Sequence, residues 1–414
     1  MRGFWHMIEK TVLQNGLTII TEPMDGDFVN VAYYVNKGSI DEPEDCLGVA
    51  HLAEHEVFKG TANRNKDEVW EDVQKYGGEM NAYTAENSTA FFCTILKEYW
   101  DKALDVISDI VFNNTIPEEE FELEKGVVIE ELKMYDDDAK HKVFDETSRV
   151  LFKDYKNRWN NGGTPETVQG IKREQLVDFI NNNYIPQNIT LFVTGNVKHE
   201  DIEKFVEDYL DGYEFINDSQ EHRVTVDKLN ITDDVISLHG TQSTMMAVWE
   251  TKASGTKELL LNEILCNILG GGFGSRFMEI REKYGYAYTV NCNYQAFAEN
   301  DKAFMFCYAG LNKYNIPKTK ELIIQNLKDI KENGLRFNEF NQAKICVKSD
   351  YKKQFSFCED VNNFRLMQYP IGGTIYTEEL LKVLEKITIQ DVENFAKEIL
   401  QDMKIGFIVV EQTE

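Results

Sequence analysis

The stretch that decides the fold is "IKREQLVDFINNNYIPQNITLFVT", residues 171–194, because its pattern returns near the end of the chain. The second copy, "ITIQDVENFAKEILQDMKIGFIVV", occupies residues 387–410 and begins 216 residues after the first (387 − 171). At this offset the apolar positions coincide without a gap; the matched pairs are Ile171 with Ile387, Phe179 with Phe395, Ile189 with Ile405, Leu191 with Phe407 and Val193 with Val409. Each copy has the pattern of a helix, a short turn and a buried strand. The match at the end of each half indicates internal duplication.

Strand-like and helical segments alternate through the rest of the chain. The segment "KTVLQNGLTIITEPM", residues 10–24, predicts two short strands joined by Asn15-Gly16, which is a strong hairpin signal. Residues 46–58 and 66–76 have helical patterns, and a long helix is expected from Pro117. Interleaved elements of this kind favour the α+β class. We therefore predict two homologous α/β-sandwich domains, each with a mixed, mostly antiparallel sheet packed against helices.

A chain of 414 residues exceeds the usual size of a single domain, which agrees with the duplication. The polar segment "GYEFINDSQEHRVTVDK" separates the two copies and is typical of a linker. The sequence therefore predicts an N-terminal domain at residues 1–211, a linker at 212–228 and a homologous C-terminal domain at 229–414.

The chain is strongly acidic, with 44 lysine and arginine against 71 aspartate and glutamate residues, a net charge of −27. This charge opposes binding to nucleic acid and to anionic membranes, and it attracts cationic peptides. Solubility alone is the alternative explanation for it. No apolar run approaches the roughly 18–20 residues needed to span a bilayer, and no secretory signal is recognisable. Seven cysteines without a C-x-x-C pair suggest reduced thiols, so we expect a cytoplasmic protein.

The segment "HLAEH", residues 51–55, combines two histidines with a glutamate. Residues four apart lie one above the other on a helix, so His51 and His55 present their imidazoles to the same point. Glu54 projects from the neighbouring edge of that face, where it can reach a water molecule without binding the metal. Zinc hydrolases divide these roles in the same way, usually in the order H-E-x-x-H. A chance H-x-x-E-H in this chain has odds of roughly one in a hundred, and two surface histidines are the alternative.

The long helix offers a third ligand. Glu124 and Glu131 are seven residues apart, and both lie on the apolar stripe of the helix, whereas Glu130 is turned about 100° away from Glu131. The stripe is formed by Phe121, Val128, Leu132 and Tyr135. A carboxylate on a buried face needs a compensating partner. We predict that Glu131 binds the metal and that Glu124 orients a histidine; a salt-bridged acidic helix is the alternative.

Further motifs accompany "HLAEH" over nearly the whole chain. They are "FKGT" at 58–61, "GGEMNAYTAENST" at 77–89, "GTPETVQGI" at 163–171 and "GGGFGSRFMEIREKYGYAYTV" at 270–290. Together these motifs resemble the pitrilysin, insulysin and mitochondrial processing peptidase family of inverted-motif zinc peptidases. The chain is most like the short bacterial-type members, which have two homologous domains per chain.

The resemblance implies one Zn²⁺ per chain, bound by His51, His55 and Glu131. It also implies that Glu54 activates the attacking water and that Glu124 supports a histidine ligand from behind. The only departure near the motif is Glu56, where an apolar residue is common in the family. Its carboxylate either faces outward or adds an acidic subsite, and the sequence leaves both readings open.

The same resemblance assigns four residues to the substrate. Asn81 and Ala82 match the edge strand against which the family's extended peptides pair. Arg281 and Tyr288 match the arginine and tyrosine of the second domain that hold the substrate backbone and stabilise the oxyanion.

The expected function is therefore a zinc metalloendopeptidase that acts on peptides or on unfolded, extended segments. We expect a homodimer with two equivalent sites, and basic peptides among its substrates. The alternative is a catalytically silent family member that serves as a structural or peptide-binding subunit. The physiological substrate and the cleavage preference are not specified by the sequence.

Overall fold

The computed structural model describes residues 8–153, 160–213, 228–239, 242–296, 302–368 and 377–413. The chain forms two compact units. The first comprises Met1–Lys133, Asn160–Arg223 and Gln354–Met367, and the second comprises Met134–Trp159, Val224–Lys353 and Gln368–Glu414. Each unit is built on one β-sheet, and among the described residues no helix is both long and apolar enough to cross a bilayer.

The strands in chain order are β1 (Glu9–Val12), β2 (Thr18–Pro23), β3 (Phe28–Val35), β4 (Glu79–Thr84), β5 (Thr89–Leu96), β6 (Ile189–Gly195), β7 (Asp234–His239), β8 (Ser243–Lys252), β9 (Ala287–Ala296), β10 (Lys302–Leu311) and β11 (Gly406–Thr413). The helices of the first half are α1 (Val49–Glu56), α2 (Lys66–Gln74), α3 (Trp100–Phe112), α4 (Glu118–Asp137), α5 (Ala139–Leu151), α6 (Pro165–Gly170), α7 (Arg173–Asn183) and α8 (His199–Leu210). Those of the second half are α9 (Gly255–Gly270), α10 (Met278–Glu282), α11 (Ile316–Asn333), α12 (Phe337–Gln354), α13 (Cys358–Gln368), α14 (Thr377–Lys386) and α15 (Ile389–Ile399).

Apart from the additional edge strand β1, the two described sheets share one topology. The strand order is β1-β2-β6-β3-β5-β4 in the first unit and β7-β11-β8-β10-β9 in the second. The repeated segments form α7–β6 and α15–β11, and each repeated strand lies between a parallel and an antiparallel neighbour. The preceding strands β2 and β7 begin at Thr18 and Asp234, again 216 residues apart (234 − 18). The predicted α+β fold with two homologous, mixed sheets is therefore confirmed.

Local elements largely follow the predicted pattern. The hairpin at Asn15-Gly16 joins β1 to β2, and Gly16 has the positive φ of 93° that such a turn requires. Strands β4 and β5 pair as an antiparallel hairpin. The predicted helix at 46–58 is shorter, because α1 begins after Gly48 and ends in a 3₁₀ turn at Val57–Lys59.

The sheet of the first unit has one apolar face, and its other face also carries buried polar groups. Side chains of β3 that point to the main core are fully buried; they are Val29, Val31, Tyr33 and Val35. On the opposite face, Asn30 of β3 and Thr94 of β5 are buried and hydrogen-bonded at 2.8 Å. Helix α13 covers this face, with the Asn362 amide donating to the Asn30 carbonyl at 3.1 Å. A helix from the C-terminal half thus satisfies the buried polar groups of the N-terminal sheet.

The compact units differ from the predicted contiguous ranges 1–211 and 229–414 in two segments. Residues 134–159 belong to the second unit and residues 354–367 to the first. The apolar side of α5 packs on the second sheet, where Val143 and Val150 share a core with Met246 and Val248. The predicted ranges follow the duplication of the sequence. The compact units instead follow packing, which assigns one segment of the N-terminal half to the second unit and one segment of the C-terminal half to the first. Of the predicted linker 212–228, residues 214–227 lie outside the described residues.

Candidate metal centre

Helix α1 is anchored at its N-terminus by a buried carboxylate. Both Glu42 oxygens accept backbone N–H groups, from Gly48 and from Ala50, each at 2.9 Å. Burial raises the pKa of Glu42 to about 8, although these two hydrogen bonds oppose the rise. Gly48 has φ of 93°, and a Cβ there would lie 2.4 Å from the carbonyl oxygen of Gly162. The start of the helix that carries "HLAEH" is thereby held in one place.

Helices α1 and α4 bring His51, His55 and Glu131 together. Each offers one ligand atom, and these atoms lie within 4.8 Å of one another. The distance from His55 Nε2 to Glu131 Oε2 is 3.5 Å. Ligands bound to a tetrahedral zinc ion at about 2.0–2.1 Å are separated by roughly 3.4 Å, so this pair fits one ion. Two imidazole nitrogens and one carboxylate oxygen are the donor set of catalytic zinc sites that keep an open position.

The orientation of α4 distinguishes the adjacent glutamates. The side chain of Glu131 is 25% exposed and faces His55, whereas that of Glu130 is 74% exposed and pairs with Lys133 at 2.7 Å. Glu124 lies one layer deeper, and its Oε1 is 2.9 Å from His55 Nδ1. Both glutamates of the predicted stripe therefore contact the same histidine, one at each ring nitrogen.

The two histidines have different electrostatic surroundings. Burial lowers the pKa of His51 to about 4, and the nearby His55 adds to this effect. His51 is therefore neutral at pH 7, as a zinc ligand must be. Burial also opposes the charge of His55, but the hydrogen bond to Glu124 and the charges of Glu54, Glu124 and Glu131 outweigh it and raise its pKa. A divalent cation would satisfy the same excess of negative charge.

Glu54 lies beside the ligands and is held by a different element. The Thr84 hydroxyl, at the end of β4, donates a hydrogen bond to Glu54 Oε2 at 2.7 Å. Burial raises the pKa of Glu54, and the hydrogen bond from Thr84 opposes that rise. A raised pKa moves a carboxylate toward the range in which it can both accept and return a proton.

Two further charged residues adjoin the centre. Lys59, in the 3₁₀ turn after α1, places its Nζ 2.7 Å from Glu124 Oε2. Glu56 is fully buried, so the outward orientation considered from the sequence is wrong. Neither of its oxygens has a hydrogen-bond partner among the described residues. Burial raises the pKa of Glu56 to about 8, and the charge of Glu124 adds to the rise.

Three of the four residues predicted to bind substrate lie on edge strands, and the fourth, Arg281, lies on a helix. Asn81 and Ala82 are in β4, which pairs only with β5 within the described sheet. In the second unit, Arg281 lies in the last turn of α10, and Tyr288 lies in the edge strand β9 with 67% of its surface exposed. The structure thus brings Glu54, Glu124 and the three predicted ligands together within the first unit. The roles of Arg281 and Tyr288 at this centre stay predictions.

Sequence reasoning missed Lys59 and Thr84. Lys59 follows His55 by four residues, which is the spacing that already related His55 to His51. Thr84 stands in "NAYT", two residues after Ala82 on the predicted strand. Their partners are fixed only by contacts between separate elements, and no local pattern shows those contacts.

The chain is similar to known proteins in sequence and in fold. The protein-family model described as insulinase (peptidase family M16) matches residues 18–158. The family model described as peptidase M16 inactive domain matches residues 170–345. The uncharacterized zinc protease YmxG of Bacillus subtilis is 25% identical over 402 residues, covering 96% of each chain. An uncharacterized zinc protease of Mycobacterium leprae is 28% identical over 402 residues, covering 94% of this chain and 89% of its own. The crystal structure of a protease from Helicobacter pylori, 21% identical, has the same fold, with a TM-score of 0.88 and coverage of 99% and 100%.

Proposed function

This chain belongs to the insulinase family, peptidase family M16, as a short two-domain member, and from that premise we propose that it is a zinc metalloendopeptidase. Its substrates are peptides or unfolded, extended segments of proteins. One observation carries the proposal: His51, His55 and Glu131 converge, with Glu54 held beside them by Thr84. Relatives along nearly the whole chain are named zinc proteases, which supports the same class of chemistry.

Each residue of the centre has a role in this proposal. When bound by His51, His55 and Glu131, Zn²⁺ supplies Lewis-acid chemistry. Glu54 accepts a proton from the attacking water and later donates it to the leaving amine. The hydrogen bond from Thr84 keeps the carboxylate of Glu54 in one orientation between these two transfers.

Substrate binding would use the two edge strands. An extended peptide can pair with the unpaired edge of β4 at Asn81 and Ala82, which recognises backbone rather than sequence. In the second domain, we propose that Arg281 holds the substrate backbone and that Tyr288 donates a hydrogen bond to the developing oxyanion. The net charge of −27 favours basic peptides.

We further propose that two chains associate as a homodimer with two equivalent sites, without nucleic-acid or membrane partners. We also propose a cytoplasmic location, with which the seven free cysteines of the structure are compatible. A catalytically silent subunit is the second candidate, because residues 170–345 match a model described as an inactive domain. The N-terminal domain has all three predicted metal ligands and the predicted general base, and this favours the enzyme.

The test is cleavage of a diverse library of quenched fluorescent peptides by the zinc-loaded protein, with and without a chelator. We expect cleavage that stops when the metal is removed. Glu54→Gln should retain zinc and lose turnover by about 10²-fold to 10⁴-fold, the usual contribution of a general base. Loss of zinc in this variant would mean that Glu54 is a ligand. A zinc-loaded wild type that cleaves no peptide would leave the silent subunit as the better reading.

A further inference from the structure

We propose that Lys59 is a positioning residue for the metal centre: its ammonium group holds Glu124 in the orientation that fixes the imidazole of His55. The inference rests on the zinc site of the proposed function, but it concerns the affinity for the metal rather than the hydrolysis of peptides. Lys59 acts through Glu124 and His55 and has no direct contact with substrate.

The contacts form a continuous series from Lys59 to the predicted ligands. Lys59 Nζ lies 2.7 Å from Glu124 Oε2, and Glu124 Oε1 lies 2.9 Å from His55 Nδ1. With Nδ1–H donating to Glu124, the other nitrogen, Nε2, is left free to face Glu131. Carboxylates that orient a ligating histidine in this way usually affect metal affinity by 10-fold to 100-fold. Lys59 extends the series by one residue.

Glu124 needs a second partner to act in this way. A carboxylate bound through one oxygen alone can rotate, and its second oxygen is left without a hydrogen bond in a shielded site, which is costly. Because Lys59 engages Oε2, Oε1 stays directed at His55. Three further carboxylates, of Glu54, Glu56 and Glu131, lie close to His55 in sequence or space. Lys59 is the cation that the structure places in contact with Glu124 among them.

Lys59 is itself held by its surroundings. Its side chain is 24% exposed and that of Glu124 only 9%, so their contact is more shielded than a surface ion pair. The chain that follows is anchored, because Arg64 contacts Asp72 at 2.8 Å and Asp109 at 2.7 Å. Where the backbone is already anchored, only side-chain entropy is lost when the lysine is kept in one geometry.

A matched pair of substitutions separates orientation from charge. Lys66 also pairs with a glutamate of α4, Glu120, at 2.7 Å, but its side chain is 48% exposed. By Coulomb attraction alone, removing either positive charge strengthens Zn²⁺ binding. If Lys59 positions Glu124, its removal has the opposite effect on Zn²⁺ affinity. Lys59→Met should then weaken Zn²⁺ binding by about 10-fold or more, and Lys66→Met should not weaken it.

The experiment measures Zn²⁺ affinity by competition with a chromogenic chelator on the full chain, with circular dichroism as the check on folding. Lys59→Arg should restore most of the affinity, because a guanidinium can also bind the carboxylate. In the Glu124→Gln background, Lys59→Met should have little further effect, since its partner is already altered. If Lys59→Met does not fold, the comparison of Lys59→Gln with Lys66→Gln replaces it, with the same expected loss.

Two outcomes overturn the inference. One is a Lys59 variant that binds Zn²⁺ as tightly as the Lys66 control, and the other is a loss of equal size in the Glu124→Gln background. Either result leaves the proposed function intact if the wild type binds zinc and cleaves peptides. A wild type that does not bind Zn²⁺ contradicts the proposed function itself.

Discussion

Glu56 shows that burial determines whether an ionisable residue beside a motif stabilises or destabilises the fold. The residue follows His55 directly, yet its side chain is fully buried and its oxygens have no hydrogen-bond partner among the described residues. A buried polar group without a partner costs about 1–3 kcal/mol. The position therefore lowers the stability of the fold, and within the described part of the chain no hydrogen bond joins Glu56 to the metal centre.

We expect Glu56→Met to raise the free energy of unfolding by about 1–3 kcal/mol, since a side chain of similar size replaces the unpaired carboxyl. Urea denaturation of the metal-free protein measures this change. Glu56→Gln is the control, because it keeps a polar group in the same place and should gain little. A less stable methionine variant would show that Glu56 has a partner in solution.

At the same scale, Glu131 and Glu130 provide a matched pair for the third ligand. Glu131→Gln should lower zinc occupancy by 10-fold or more, because a ligating carboxylate is removed. Glu130→Gln should leave occupancy unchanged, because that side chain is exposed and points toward Lys133. Metal content after dialysis against a weak chelator decides between them. The reverse result would move the ligand by one residue.

Glu263 in the second unit predicts a dependence of stability on pH. Burial raises its pKa to about 7 from the ordinary 4.5, and hydrogen bonds from the Tyr351 and Tyr294 hydroxyls oppose the rise, while the charge of Asp350 adds to it. The folded state therefore keeps a proton that the unfolded chain releases. The stabilisation is fully present below pH 4.5 and is lost as the pH rises through 7, by at most about 1.4 kcal/mol per pH unit.

The measurement compares urea denaturation of the wild type with that of Glu263→Gln between pH 4 and pH 8. The free energy of unfolding of the wild type should fall relative to the variant as the pH rises through this window, because the glutamine does not titrate. Parallel curves would mean that Glu263 has the same pKa in the folded and unfolded states.

At the scale of elements, β4 links the edge of a sheet to the predicted base. Thr84 ends this strand and donates its hydroxyl hydrogen to Glu54, which belongs to α1. A peptide added to β4 would therefore contact the same strand that orients Glu54. This arrangement joins substrate binding to the position of the base through one residue.

We expect Thr84→Val to lower kcat by about 10-fold or more, since hydrogen bonds to charged groups contribute about 1.5–3 kcal/mol. Zinc content should stay at the level of the wild type, because Thr84 contacts the base rather than a predicted ligand. Thr84→Ser keeps the hydroxyl and should restore most of the activity. A uniform loss in both variants, or a change confined to KM, would contradict this role of Thr84.

Elements also show where prediction from sequence succeeds. The duplication was visible because α7–β6 and α15–β11 carry their apolar residues within single continuous segments. The different orientations of Glu130 and Glu131 followed from the 100° turn between neighbours on a helix. Periodicity within one element depends only on consecutive residues, so it can be recognised from the sequence alone.

Contacts between distant segments were not predictable in this way. Nothing in "CEDVNNFRLMQ" indicates that Asn362 hydrogen-bonds to Asn30, 332 residues earlier. The contact of Lys59 with Glu124 depends on a 3₁₀ turn after α1 and on the approach of α4. Both arise from packing, which no single sequence pattern encodes. The packing of α13 against the first sheet accounts for the assignment of residues 354–367 to the first compact unit.

At the scale of the whole molecule, the net charge of −27 has two explanations, which are electrostatic attraction of the substrate and simple solubility. If the negative field attracts basic peptides, kcat/KM for a lysine-rich peptide should fall as ionic strength rises, because the Debye length shortens from about 30 Å at 0.01 M to about 8 Å at 0.15 M. A neutral peptide with the same cleaved bond is the control and should respond little. The fall should lie in KM rather than kcat, since screening acts on encounter and binding. Equal salt dependence for both peptides would confine the charge to solubility.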